Sequence, residues 1–215
     1  TKTTSLSLGS IKVKIFAVES IHIAILSLLL SHSPPSFPET IYLSPISADG
    51  IEVPPISLIL LLVGALATFF AGDKLASKVA LFFSVTVFVY ALLLLNQLNI
   101  GYDISYISPW ISNPNVFMIL QADGLSMAMA ILTLALTPII IFSSFANNFN
   151  NSKTIYALIL FMSFAMCGTF LAGDGILYYM FWELSLIPIY FIALIWGNGD
   201  AEERKKAVVK FFIYT

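Results

Sequence analysis

Glu183 is a carboxylate in the wrong solvent. It stands inside the apolar run 175–196, eight residues from one end and thirteen from the other, in the segment Tyr178-Tyr179-Met180-Phe181-Trp182-Glu183-Leu184-Ser185-Leu186-Ile187-Pro188. If that run is a helix crossing a bilayer, the rise of about 1.5 Å per residue puts the carboxylate roughly 12 Å from one end and roughly 20 Å from the other, too deep for so short a side chain to reach water. An acid at that depth costs at least about 2.5 kcal/mol on the lenient insertion scale for aspartate, so it is kept where a task or a buried partner offsets the cost. The chemistry that fits is proton carriage. Desolvation favours the protonated form of a carboxylic acid and a nearby cation favours the ionised one, so a positive charge moving toward or away from Glu183 would load and release a proton. The plainer reading is a hydrogen bond to a neighbouring helix, a glue worth about 1 kcal/mol; proton carriage is preferred.

Helical spacing names the accessory residues. Tyr179 at i−4, Leu186 and Ile187 at i+3 and i+4, and Tyr190 at i+7 share the face of Glu183. Pro188 cannot donate to the Leu184 carbonyl, which leaves a free acceptor one turn from the acid and predicts a kink where water could lodge. The first cation downstream is Lys210 beyond the basic loop. Three residues past Ala207 on an antiparallel helix, it lies roughly 5 Å deep and so roughly 15 Å from Glu183 along the membrane normal. It reads as a lysine snorkelling to the interface, or else as an inner relay point. The direct partner of Glu183 is therefore expected beyond the residues at hand.

These residues need a membrane to position them, and the composition supplies one. Of 215 residues, 59% are hydrophobic and 10% charged, with a mean hydropathy of +0.93, against roughly 25% charged for soluble domains. Water-soluble classes are excluded. Apolar stretches at 56–71, 79–95, 125–146, 155–172 and 175–196 approach the ~20 residues a spanning helix needs, and a sixth opens at Ala207. Backbone groups in lipid must bond internally and barrel strands would be half as long, so the expected fold is an all-α polytopic bundle with five complete transmembrane helices and the start of a sixth. The run Lys210-Phe211-Phe212-Ile213-Tyr214-Thr215 has no breaker, which reads as an N-terminal fragment of a longer chain.

Lys and Arg alternate along the chain: Lys74 and Lys78, none in 96–118, Lys153, none in 173–174, then Arg204-Lys205-Lys206. By the positive-inside rule the loops at 72–78, 147–153 and 197–206 face inward and those at 96–118 and 173–174 outward. Residues 1–55 read as an N-terminal extension ahead of the transmembrane domain 56–215. Lys2, Lys12 and Lys14 before an apolar Ile15–Leu30 stretch suggest a signal peptide, but Glu19 and His22 interrupt it and no small-residue cleavage site follows. A loose extension with one marginal helix is preferred, given six prolines between 34 and 55.

A net charge of −2 with scattered lysines offers no stripe for nucleic acid. One cysteine, Cys167, and two histidines, His22 and His32, exclude disulfides and a Cys/His metal site. Asp123, before Gly124 and Ser126, reads as a helix cap rather than a proton entry point. Pro138 with Thr133 and Thr137 reads as a structural kink. Trp110, Trp196 and Tyr106 read as interfacial anchors. Gly173-Asp174-Gly175 is a turn between spans, and the glycosylation sequon at Asn150-Asn151-Ser152, on the expected inner side, is accidental.

The run Phe181-Trp182-Glu183-Leu184-Ser185-Leu186-Ile187-Pro188-Ile189-Tyr190, then Trp196-Gly197, then Lys210-Phe211-Phe212-Ile213-Tyr214-Thr215 resembles the antiporter-like subunit M, or chain 4, of proton-pumping NADH:quinone oxidoreductase, respiratory complex I. Gln121-Ala122-Asp123-Gly124-Leu125-Ser126 is similar to the same family's entry into its helix. The resemblance covers 56–215. It implies that Glu183 is the family's fifth-helix glutamate, paired with a lysine on the seventh helix, past Thr215, within a fold of inverted repeats whose broken helices line a hydrated proton path. It also implies that this chain holds no cofactor. NADH, flavin, iron–sulfur clusters and quinone belong to partner subunits, and the other complex I membrane subunits and the lipid bilayer are the partners. The host would be an energy-coupling membrane, with the bacterial inner membrane preferred over the mitochondrial inner or thylakoid membrane. The rival is a subunit of a multi-subunit sodium/proton antiporter of the same fold, disfavoured by the sixth-helix opening.

Overall fold

The computed structural model describes residues 51–52, 55–99, 104–111, 116–145, 149–197 and 199–215. The reading of 1–55 as an extension falls almost wholly outside them. Residues 51–215 form one compact unit. In chain order it contains β1 (Ile51–Glu52), α1 (Ile56–Phe70), α2 (Asp73–Asn99), β2 (Ile104–Ile111), β3 (Val116–Ala122), α3 (Gly124–Ser143), α4 (Ser152–Leu171), α5 (Gly175–Trp196) and α6 (Ala201–Tyr214).

Four helices, within α2 and in α3, α4 and α5, are long and apolar enough to cross a membrane. The fifth expected span, α1, has 15 residues, a rise of about 22 Å against the ~30 Å hydrocarbon core. The outward faces carry large apolar side chains that water would not tolerate together: Phe82, Leu93, Ile139 and Phe142 are all 60–68% exposed in the isolated chain. Such a surface fits lipid. α4 differs. Its spanning window is 67% buried, because it packs against α1, α2, α3 and α5. Lipid reaches α4 least, and the bundle is organised around it.

Two expectations need correction. The segment 72–78, read as a basic loop, belongs mostly to α2, which begins at Asp73; Lys74 and Lys78 ride on its first two turns and only Ala71 and Gly72 turn the corner. Gly72 takes a φ of +77° there, a conformation glycine adopts without strain. The second correction concerns the all-α reading. The outer segment 96–118, a loop on the sequence reading, holds β2 and part of β3, which pair antiparallel from Ile104↔Ala122 to Ile111↔Val116, and β1 pairs parallel with Ile104 and Ser105. Pro109 inside β2 hid the strand, since proline cannot supply a ladder donor. The structure accommodates it where β1 no longer flanks β2, next to a register shift between Pro109 and Ile111. The molecule is mostly helical with a small sheet at one end.

Candidate functional site

α5 is built from the turn upward. Asp174 accepts a hydrogen bond from the Ile176 amide at 2.7 Å and starts the helix, so the expected turn at Gly173–Gly175 is also a cap. The helix then runs unbroken to Trp196 through Pro188. The Ser185 hydroxyl donates to the Trp182 carbonyl at 2.7 Å. Pro188 has no N–H for the Leu184 carbonyl, so an acceptor is left one turn below the acid.

Glu183 is half-buried, eight residues into this helix. The buried stripe of α5 that faces α4, the helix against which α5 chiefly packs, holds Leu177, Ser185 and Pro188, while Leu186 is buried on the opposite side, one turn from Glu183. Glu183 lies on the other side. Tyr179, one turn back, is 56% exposed. Ile187, one turn on, is 41% exposed. Tyr190, the i+7 neighbour, meets the Phe212 ring of α6 edge-on with centroids 5.6 Å apart, and Val208 buries alongside. α6 thus covers the inner end of the Glu183 face and leaves its middle open.

Of the residues singled out from the sequence, the structure brings Glu183, Tyr179 and Tyr190 onto one face, with Pro188 on the opposite side. Lys210 stays apart: it is exposed on α6, two residues before Phe212, and Phe212 stands level with Tyr190. Seven rises on α5 and two on α6 put it about 13 Å from Glu183 along the helix axes. No direct pairing of the two follows.

Other polar groups occupy the bundle. Asp123 caps α3 in a reciprocal box: its carboxylate accepts from the Ser126 amide, and the Asp123 amide donates to the Ser126 hydroxyl at 2.8 Å. The Ser126 amide, above all, holds the Asp123 carboxyl below its ordinary range. Around Pro138, Thr133 donates to the Met129 carbonyl and Thr137 lies within hydrogen-bonding distance of both the Thr133 carbonyl and the Ser163 hydroxyl, 2.7 Å away on α4. The hydroxyls satisfy themselves locally, as a structural kink requires. Ser163 was not legible, because a cross-helix pair needs the packing to reveal it. Trp196 was expected as an interfacial anchor, but its partner was not. Its indole N–H donates to the Asn150 carbonyl at 3.2 Å, tying the inner end of α5 to the start of α4.

No family model matches the sequence. The chain is 32% identical over 169 residues to F(420)H(2) dehydrogenase subunit M of Methanosarcina mazei, an alignment covering 76% of this chain and 34% of that protein. It is 38% identical over 112 residues to NADH-quinone oxidoreductase subunit M of Buchnera aphidicola, covering 51% of this chain and 22% of the relative. Among solved structures it is similar to a chain of the membrane-bound sulfane sulfur reductase, an archaeal respiratory membrane complex, with a TM-score of 0.59, 17% identity, and coverage of 74% of this chain and 24% of the other; that likeness is one of fold. The chain spans between about a fifth and a third of the length of these proteins. It is similar to subunit M, as the motif around Glu183 implies.

Proposed function

We propose that this chain is the front part of a proton-translocating membrane subunit of a respiratory complex, and that Glu183 carries the proton. The observation that carries the reading is the placement of Glu183: mid-helix in a spanning segment, half-buried, and on the face of α5 that the bundle α1–α4 leaves open. A carboxyl used only as glue would point into the packed seam. This one points toward whatever lies beyond α5, where a cation on a later helix can approach and withdraw. The seventh-helix lysine implied by the resemblance is that cation, and the subunit has five complete spans with α6 as the sixth.

Each neighbour then has a task. When the lysine is near, the carboxylate is ionised and the Tyr179 hydroxyl donates to it. When the lysine withdraws, the carboxyl takes a proton. Lys210, at the inner end, is an interface lysine.

The relatives named above are attached to different electron donors, F420H2 and NADH. A subunit that moves protons without touching the donor fits both. Redox cofactors accordingly sit in partner subunits, NADH being the donor favoured here, and the host is an energy-coupling membrane, by preference a bacterial inner membrane. The test is Glu183→Gln in the full-length protein within its assembled complex. Proton translocation driven by electron transfer should fall to background while the complex stays intact. Undiminished pumping refutes the reading, and failure to assemble shows that the carboxyl is structural glue.

A further inference from the structure

We propose that Gly168 and Phe181 form an interlock that sets the direction in which Glu183 faces, making both of them positioning residues; this rests on the reading of Glu183 above. Leu177, Phe181, Ser185 and Pro188 recur at i, i+4, i+8 and i+11 and form one stripe along α5. In the middle of that stripe the Phe181 ring enters a hole in α4. The floor of the hole is Gly168, where a built Cβ would stand 2.6 Å from Cγ of the ring and closer still to its edge. Its wall is Phe164, whose ring meets Phe181 edge-on with centroids 5.5 Å apart at 73°. Only glycine leaves room for this contact.

The consequence is angular. Glu183 follows Phe181 by two residues, about 200° around the helix, so a ring pinned against α4 sends the carboxyl to the far side. A Cβ at position 168 cannot coexist with the ring where it stands. The ring must leave or α5 must turn, and a turn of about 20° sweeps a side-chain tip at a radius of about 6 Å through about 2 Å. That displacement decides whether a proton donor and its acceptor meet.

The experiment uses the assembled complex carrying Gly168→Ala, with Glu183→Gln in parallel. The expected result is an intact complex whose proton yield per electron pair falls at least tenfold and whose pumping follows a displaced pH profile. Phe181→Leu in the same chain should restore both, because the new methyl and the smaller side chain together refill the hole and re-form the contact that either change alone destroys. An Ile187→Cys reporter, on the Glu183 face, should label with a lipid-phase maleimide at a rate that changes on adding Gly168→Ala, whether or not Glu183 carries protons. An unchanged labelling rate together with an unchanged yield and pH profile overturns the interlock, and so does a loss that Phe181→Leu fails to relieve. If Gly168→Ala does not assemble, Phe181→Leu alone is decisive: it removes the pin without a clash, and wild-type labelling and pH profile would overturn the interlock. Normal pumping by Glu183→Gln would instead strike the functional reading and leave the labelling result to judge the geometry.

Discussion

Asp123 holds two backbone amides and a hydroxyl in register at the point where the sheet hands over to α3. Its role was legible because capping is local: an Asp three residues before a Ser at the head of an apolar run states both partners in sequence. The carboxyl is held below its ordinary range by the Ser126 amide. A group with a depressed folded-state pKa contributes stability above its unfolded value and loses it as pH falls through the lowered one. The cap should therefore be insensitive to pH near neutrality and fail only in acid, below the ordinary carboxylate range. Asp123→Ala should cost about 1 kcal/mol, as cap removals do, while Asp123→Asn retains most of it; thermal unfolding of the purified complex, followed at the two pH extremes, checks both. Gly168, by contrast, was invisible in sequence. A glycine in a helix looks like a weakness until the ring filling it is seen, and that ring lies thirteen residues away on another element.

The helices of this chain announce themselves because lipid demands uninterrupted apolar runs; the small sheet does not, because at the membrane surface nothing enforces a pattern. β2 contains Ser105, Ser108 and Pro109 with no clean alternation, and its pairing depends on partners from β1 and β3. The sheet matters to the site through one contact. The Gly173 amide donates to the Ile119 carbonyl of β3 at 2.8 Å, and Leu120 pairs with Ala172, so the α4–α5 turn becomes a short addition to the sheet edge. A Cβ on Gly173 would stand 2.8 Å from Cγ2 of Ile119. Gly173→Ala should therefore push the hairpin from the turn and loosen the outer end of α5. Amide exchange at Gly173, Ala172 and the β3 edge should rise at least tenfold, with exchange along the middle of α4 unchanged. Exchange equal to wild type would show that the contact is incidental.

Across the whole molecule the two ends are held by different means. At one end the sheet gathers β1, β2, β3 and the α4–α5 turn. At the other, the Asp73 carboxylate at the head of α2 accepts from the Lys153 amide at the head of α4 at 3.0 Å, the Lys153 ammonium lies 5.5 Å from the centroid of the Phe69 ring at the foot of α1, and the Arg204 guanidinium donates to the carbonyls of Gly197 and Gly199 below α5. The basic residues that alternate along the sequence thus collect at one end of the bundle, and this was the most legible global feature: charge is excluded from lipid, so its spacing records the crossings. A membrane-impermeant maleimide should label Ser108→Cys and Lys205→Cys from opposite sides of sealed vesicles. Labelling of both from one side would overturn the crossing pattern. What sequence could not convey was the centrality of α4, whose composition matches its neighbours and whose burial comes from being surrounded.

That centrality bears on how the chain is made. The helices that enclose α4 on its other sides, α1, α2 and α3, all precede it in the chain, so a nascent polypeptide can close this core as soon as Leu171 has left the ribosome and its insertion machinery. α5 then arrives at a finished wall with a socket waiting at Gly168, docks its aromatic side and is left holding its acid away from the core already closed. The order of synthesis would thereby spare the carboxyl from being trapped inside the early core.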